Sequence, residues 1–333
     1  MHSTSLQNCL SLSDCKINKM SEKQRFSDLS GESPLFQIFI SIMIIISVGF
    51  VLTIIFISAG TLIIGANLNI LTKPAELLTK NDIVFIRYAL VIQDISFLFV
   101  PAIIIMSMIN QPGTRLNDFK APEFKEIILV IILTLCLLPI TSFTGQVNSA
   151  IHLPSWLSGV ERWIVEKEQS ADNLIETLVV SDTFWTMSMN LLLIALLPAI
   201  AEEMIFRGVI QRILTRLFKS GHISIIVTAF IFSSIHLQFL GFVPRFILGL
   251  IFGYLFLWGG TLWLPIASHF VNNAFPVILT YVQGIEKANA APDIPLWKQA
   301  VALPIPIVII AVILFYFRTK SNSLHKENIG NFP

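Results

Sequence analysis

Residues 184–213 read FWTMSMNLLLIALLPAIAEEMIFRGVIQRI and decide how the rest of this 333-residue chain is interpreted. Residues 184–201 carry no charged side chain, and this stretch approaches the roughly 20 residues that a helix needs to cross a bilayer. Glu202 and Glu203 follow at once, and Arg207 comes one turn later. Ionisable side chains at membrane depth are rare and costly, so they indicate a function. The stretch predicts a membrane helix that carries a polar site.

The composition of the whole chain is that of a membrane protein. Hydrophobic residues make up 54% of the chain and charged residues only 13%, whereas soluble domains carry about 25% charged residues. The net charge is +1, and no basic patch with interleaved aromatic residues supports nucleic-acid binding. Cys9, Cys15 and Cys136 have neither disulfide-framework nor zinc-site spacing. The expected surroundings are the lipid bilayer.

The apolar segments predict an all-α polytopic helical bundle with about eight transmembrane helices, because each segment is too long for a barrel strand. The fourth span is expected to continue as a helix to about Lys219, and the glycines at 259–260 predict a tight hairpin between the sixth and seventh. The predicted spans are 36–60, 84–109, 126–144, 184–206, 222–240, 242–259, 261–283 and 300–317.

Five regions follow from this pattern. They are a polar cytoplasmic tail (1–33), three N-terminal spans (34–145), an extramembrane loop with short amphipathic pieces (146–183), a core (184–283), and the last span with a cytoplasmic tail (284–333). Lysine and arginine are concentrated in segments that share one side, which places both termini in the cytoplasm. Without a recognisable targeting signal, the prokaryotic cytoplasmic membrane is the expected location.

Polar groups occur on three of the later spans. Glu203 and Arg207 are four residues apart and therefore share a helix face, as do His269 and Asn273. Glu202 is rotated by about 100° from Glu203, so the two carboxylates are expected to have different surroundings. The polar residues of these spans are Glu202, Glu203, Arg207, His236, His269, Asn272 and Asn273.

These residue types suit the hydrolysis of an amide by activated water. A carboxylate beside an imidazole can deprotonate water, and a second imidazole with a carboxamide can stabilise an oxyanion. Taken singly, the glutamates could form a salt bridge at a helix end, and each histidine could be an interhelical hydrogen-bonding group. Together, on three helices, they favour a site. Arg87 and Asp94 of the second span are interpreted instead as a structural polar contact.

Three motifs, EEMIFR at 202–207, FIFSSIH at 230–236 and HFVNN at 269–273, resemble those of the CPBP intramembrane proteases. That family includes the Rce1-type CAAX prenyl endopeptidases and the bacterial bacteriocin-processing or self-immunity (Abi) proteins. The resemblance covers roughly 184–283, and the remaining spans carry no recognised motif. It implies a hydrolase, an intramembrane endopeptidase that cleaves a membrane-associated polypeptide.

The resemblance also implies roles for individual residues. Glu202 with His236 would activate the water, His269 and Asn273 would form the oxyanion hole, and Glu203 would pair with Arg207 to support the site. The family's metalloprotease label makes zinc possible. If zinc is present, its ligands would be Glu202, His236 and His269. No HExxH motif is present, so the expectation is a glutamate-dependent mechanism that requires no cofactor.

Two other functions remain open at this point. A non-proteolytic scaffold or bacteriocin self-immunity protein of the same fold would keep the motifs without cleaving a substrate. A transporter or channel would spread polar residues through the bilayer and break its helices in paired halves, whereas here the polar residues cluster in three motifs. The sequence does not identify the substrate, its prenylation or the oligomeric state.

Overall fold

The computed structural model describes residues 29–65, 73, 77–109, 118–181, 183–284 and 294–330. Across these residues the regular structure is helical, with no strand. Helix α2 contains one π-helical turn and α5 contains two. The helices are α1 (Pro34–Ile64), α2 (Lys80–Ile109), α3 (Phe124–Ser149), α4 (Ser158–Val179), α5 (Phe184–Phe218), α6 (Gly221–Ile235), α7 (Phe242–Gly259), α8 (Trp263–Gln283), α9 (Leu296–Ala302) and α10 (Pro304–Gly330).

The predicted all-α membrane bundle is confirmed, but the number of spans is not. Every predicted span overlaps a helix, although 222–240 extends past the end of α6 at Ile235 and 300–317 includes the break between α9 and α10. Six helical segments of the described chain have the length and apolar character needed to cross a bilayer: α1, α2, α3, α5, α7 and Leu296–Ser323. Helix α6 has only 15 residues, and the more polar α8, at 21 residues, is not one of the six.

Local capping explains where α5 begins and ends. The Thr183 side chain accepts a hydrogen bond from the Thr186 backbone at its N-terminus. The helix ends before Lys219, whose φ of +51° turns the backbone out of the helical path, and Ser220 then caps α6. The predicted extension to about Lys219 is thus confirmed. Gly260, with a φ of +69°, ends α7 and forms the predicted tight hairpin to α8.

Helix ends that the topology assigns to one side of the membrane meet in the structure. Arg216 near the end of α5 donates hydrogen bonds to Gln37 at the start of α1 and to the Ile109 carbonyl at the end of α2. At the opposite end of the bundle, Asn148 of α3 donates to the carbonyl oxygens of residues 239 and 240, which follow α6. The directions in which these helices run relative to one another therefore agree with the predicted topology. The assignment of one side as cytoplasmic stays a prediction.

Two apolar clusters enclose the middle of the bundle. The first joins α2, α5, α6 and the start of α8, and it contains Phe206 and Phe232. The second joins α3, α7, α8 and α10, and it contains Phe252 and Phe317. Helix α8 contributes to both clusters, so polar side chains on α8 and on the neighbouring face of α5 are surrounded by protein.

The region predicted as an extramembrane loop of short pieces is mainly one helix. Helix α4 has 22 residues, and it buries Glu168, Leu178 and Val179. Leu178 packs against Phe85 and Ile86 of α2, which explains why the segment is ordered against the bundle rather than extended. Residues 1–28 of the predicted polar tail, which include Cys9 and Cys15, lie outside the described residues.

The contact between α6 and α7 depends on Gly249. A Cβ atom at this position would lie 3.0 Å from both the Cα and the Cβ of Ala229. We expect Gly249→Ala to lower the free energy of unfolding by about 1–3 kcal/mol, because overpacking forces the helices apart. Gly145→Ala is the control, since its Cβ would make an ordinary 3.5 Å contact with Pro244. Thermal unfolding in detergent compares them, and equal melting temperatures would contradict this account.

Candidate active site

A fully enclosed ion pair connects α5 to its neighbours. Glu203 and Arg207 both have side-chain exposures of 0%. Arg207 Nη1 donates to Glu203 Oε1 at 2.8 Å, and Nη2 donates to the Gly249 carbonyl on α7 at 3.1 Å. The pair that the spacing predicts is therefore present. It forms at the π-helical turn Met204–Gln211, a distortion that often occurs at functional sites.

Three aromatic rings surround the guanidinium of Arg207. Its Cζ atom lies 5.8 Å from the ring centroid of Phe206, 5.0 Å from that of Phe232 and 5.4 Å from that of Phe252. Contacts of a desolvated cation with ring faces contribute up to about 2 kcal/mol each. The rings replace part of the hydration that the buried cation has lost.

His269 is a third member of the Glu203 network. Its Nδ1 lies 2.8 Å from Glu203 Oε1, and because an ionised carboxylate can only accept, Nδ1 carries the hydrogen. The imidazole also stacks on Phe252, with centroids 5.0 Å apart. Glu203 thus orients His269 as well as pairing with Arg207. The sequence predicted only the contact of Glu203 with Arg207, because Glu203 and His269 are too far apart in the chain to give a spacing signal.

Glu202 has different surroundings from Glu203, as the rotation between them predicts. Its side chain is 16% exposed, and its Oε2 lies 3.9 Å from His269 Nε2, which is beyond hydrogen-bonding distance. This oxygen is buried and has no hydrogen-bond partner among the described residues. A buried carboxylate oxygen without a partner is a group that can accept a proton from a bound molecule.

His236 lies at the end of α6, beside the same cavity as Glu202. Its Nδ1 is 2.7 Å from the Phe232 carbonyl oxygen. Because a carbonyl oxygen only accepts hydrogen bonds, Nδ1 carries the hydrogen and Nε2 of a neutral ring is free to accept a proton. The structure therefore brings together the two residues that the sequence grouped as a carboxylate and imidazole pair.

The side chain of Asn273 has its Nδ2 group available for hydrogen bonding. Asn272 Nδ2 donates to Asn273 Oδ1 at 3.2 Å, which leaves the Nδ2 group of Asn273 as a donor. Asn273 follows His269 by about one turn of α8. Neither residue is among the described residues that line the cavity beside Glu202. The proposed oxyanion pair thus lies behind the cavity wall, with His269 contacting Glu203.

The cavity beside Glu202 has a volume of about 810 Å³. Glu202 and His236 form its wall on the side of α5 and α6, and most of the remaining lining comes from α1 and α2. Thr53, Gln93 and Asp94 are the polar residues of those two helices in the lining. The site is therefore not confined to the region 184–283 that carries the motifs.

Asp94 is a site residue that sequence reasoning missed. The interpretation of Arg87 and Asp94 as a structural polar contact is half right, since Arg87 Nη2 donates to the Leu178 carbonyl of α4 at 2.7 Å. Asp94 instead begins the π-helical turn Asp94–Phe99 and lines the cavity with Glu202. The available signal was the carboxylate itself in the middle of a predicted span.

The loop after His236 is held in an unusual conformation. Leu237 has a φ of +52°, a region that branched side chains rarely adopt and that the surrounding structure must enforce. Glu168 of α4 accepts hydrogen bonds from the backbone N–H groups of residues 240 and 241 at 2.9 to 3.1 Å. Helix α4 thereby fixes the segment that follows the cavity-lining imidazole.

The three predicted zinc ligands do not form a closed metal site among the described residues. Zinc takes three or four ligands at about 2.0–2.3 Å. The Nδ1 hydrogens of His269 and His236 bond Glu203 and a carbonyl oxygen, a pattern that metal-bound histidines also show, so the Nε2 atom of each ring is available as a ligand. Among the described residues, no group of three or more His, Cys, Asp or Glu side chains has the geometry to hold a metal ion. Whether the protein needs zinc therefore stays a prediction, which the chelation experiment below tests.

The Glu203–Arg207 pair predicts a strong and non-additive effect on stability. We expect Arg207→Met to lower the free energy of unfolding by about 3–5 kcal/mol, because it leaves a buried carboxylate without its cation. Combining it with Glu203→Gln should cost less than the sum of the single changes. Denaturation in detergent of both single variants and the double variant measures this, and additive losses would refute the coupling.

The clamp on the loop after His236 is testable by hydrogen exchange. Glu168→Ala removes the acceptor of two backbone N–H groups, so we expect the amides of residues 240 and 241 to exchange about tenfold faster or more. Glu166→Ala on the exposed side of the same helix is the matched control. Mass spectrometry of peptides that cover this loop provides the measurement, and equal exchange in both variants would exclude the clamp.

Comparisons with known proteins address the same segment. Residues 184–275 match the family model described as type II CAAX prenyl endopeptidase Rce1-like. The uncharacterized protein YpbD of Bacillus subtilis (strain 168) is 30% identical over 89 residues, which cover 26% of this chain and 42% of that protein. No solved structure matches the chain. This match confirms the resemblance of the three motifs, which all lie within residues 184–275, to the Rce1-like family.

Proposed function

We propose that this protein is an intramembrane endopeptidase that hydrolyses a peptide bond of a membrane-associated polypeptide. The observation that carries the proposal is that Glu202 and His236 line the same cavity. The Oε2 atom of Glu202 is itself buried and has no hydrogen-bond partner among the described residues. The Rce1-like match over residues 184–275 supports a protease-type enzyme.

The first step is the activation of water. A water molecule in the cavity donates a proton to the Glu202 carboxylate while its oxygen attacks the carbonyl carbon of the substrate. His236 is available to accept a hydrogen bond through Nε2, because its Nδ1 hydrogen is directed to Phe232. Two acceptors at one wall orient the water and take up its proton.

The second step is the stabilisation of the oxyanion. His269 and Asn273 are not in the described cavity lining, so this step requires the substrate carbonyl to reach past that lining. Asn273 then donates through Nδ2, since its Oδ1 is occupied by Asn272. His269 donates through Nε2 when the ring carries a second proton, because the Nδ1 hydrogen already bonds Glu203. The tetrahedral intermediate then breaks its C–N bond, and the proton held by Glu202 and His236 passes to the leaving nitrogen. The products are a carboxylic acid and an amine, which ionise to a carboxylate and an ammonium ion by transfer of the acid's proton to the amine.

A mass-spectrometric cleavage assay with a quenched peptide library, on protein purified in detergent, tests the proposal. We expect Glu202→Gln to lower the cleavage rate by about 100-fold or more, the usual contribution of a general base, and His236→Ala to lower it similarly. Glu166→Gln on α4 is the matched control, because this exposed glutamate lies away from the cavity lining.

The outcomes separate the alternatives. Cleavage that is lost in both site variants and unaffected by phenanthroline would support the metal-free mechanism, whereas loss on chelation with recovery on adding zinc would overturn it. A Glu202→Gln variant that still supports the cellular function would favour a non-proteolytic scaffold or self-immunity protein. An altered ion flux in that variant would favour a transporter.

A further inference from the structure

The cavity beside Glu202 combines two parts of the chain. Glu202, Ile235 and His236 come from the segment that matches the protease family, whereas α1 and α2 lie outside that match. The N-terminal helices contribute Thr53, Gln93 and Asp94 as polar groups in the same cavity. A molecule that contacts Glu202 in this cavity therefore lies close to side chains that the family motifs do not include.

Among the described residues, the structure shows no hydrogen-bond partner for the Thr53 hydroxyl or the Asp94 carboxylate of this second wall. The hydroxyl oxygen of Thr53 is buried and forms no hydrogen bond with the described residues. Asp94 is half-buried, and it lines the same cavity as Glu202, another carboxylate. Polar groups that border a cavity without protein partners are available to a ligand or to water.

The acidic side chains of the described cavity lining are not balanced by a lysine or arginine in that lining. Asp94 and Glu202 are both carboxylates, and the described lining contains no lysine or arginine. The nearby arginines are engaged elsewhere: Arg87 bonds the Leu178 carbonyl, Arg207 bonds Glu203, and Arg245 bonds the Gln238 carbonyl. A cavity with two acids and low-dielectric walls attracts a cationic group.

The remainder of the cavity is apolar. Its described lining includes Ile57, Phe85, Ala89, Phe97 and Leu98. Such walls accommodate aliphatic or aromatic side chains, and the few polar groups set the orientation of the bound molecule. The lining therefore matches an apolar peptide segment that carries a single positive charge near the bond beside Glu202.

We propose that Asp94 is a substrate-contacting residue that accepts a hydrogen bond from a cationic group of the peptide, a lysine-type or arginine-type side chain next to the cleaved bond. The inference rests on the proposed function, because it gives that site a substrate class. Asp94 then determines specificity from α2, while Glu202 and His236 perform the chemistry.

The cleavage test uses the best peptide from the library, resynthesised with lysine or with norleucine at each residue beside the cleaved bond. We expect the wild type to cleave the preferred lysine peptide with a kcat/KM about tenfold higher or more, the usual effect of a charge-assisted hydrogen bond. Asp94→Asn should remove this preference, so that the ratio of kcat/KM for the lysine peptide to kcat/KM for the norleucine peptide falls to about one. Asp94→Glu keeps the charge and should restore the preference.

A binding test separates this inference from the proposed function. Glu202→Gln, alone and combined with Asp94→Asn, is titrated with a labelled peptide of leucine and alanine that contains one central lysine, and with its norleucine twin. Tighter binding of the lysine peptide that disappears with Asp94→Asn supports the inference, even if the wild type cleaves nothing and the proposed function fails.

Other results overturn the inference. An unchanged lysine preference in Asp94→Asn would show that Asp94 does not contact the cation. Equal losses with both peptides would assign Asp94 to the fold or to the chemistry. A wild type that cleaves peptides without any preference for lysine, and whose Glu202→Gln variant binds both peptides equally, would exclude the substrate class while leaving the proteolytic function intact.

Discussion

The structure depends on one buried carboxylate. Glu203 accepts hydrogen bonds from both Arg207 and His269, and it is completely enclosed by protein. A charge in this position is tolerable only if it is paired, because desolvation of an unpaired ion costs several kcal/mol. Both hydrogen bonds are accepted by Oε1, and Oε2 has no hydrogen-bond partner among the described residues. Arg207 extends the network to the α7 backbone through the Gly249 carbonyl. Three helices are thus held in one arrangement by a contact that exists only when all of them are in place.

The aromatic rings make this network compatible with an apolar bundle. Phe206, Phe232 and Phe252 surround the guanidinium, and Phe252 also stacks on the imidazole of His269. The same residues belong to the two apolar clusters that pack the helices together. Packing and ion pairing therefore stabilise the same geometry. That geometry leaves Glu202, one residue away, directed to a cavity rather than to a partner.

The division between the two glutamates connects the fold to the proposed chemistry. Glu203 is used to hold α5 and to orient His269, so its charge is unavailable to a bound molecule. Glu202 retains a buried oxygen without a hydrogen-bond partner in the described chain, beside His236. Glu168 of α4 holds the loop that follows His236. A helix outside the family match thereby contributes to the position of a proposed catalytic group.

The sequence by itself determined the features that depend on local spacing and hydropathy. These are the all-α membrane bundle, the extent of α5, the hairpin at 259–260, the pairing of Glu203 with Arg207, and the separate surroundings of Glu202, since each follows from helix geometry within one segment. Only the tertiary structure brought His269 to Glu203, Glu168 to the loop at 240–241 and Asp94 to the cavity. Those contacts join residues that are distant in the chain. The packing of the helices decides which residues meet, and the spacing of residues along one helix does not specify that packing.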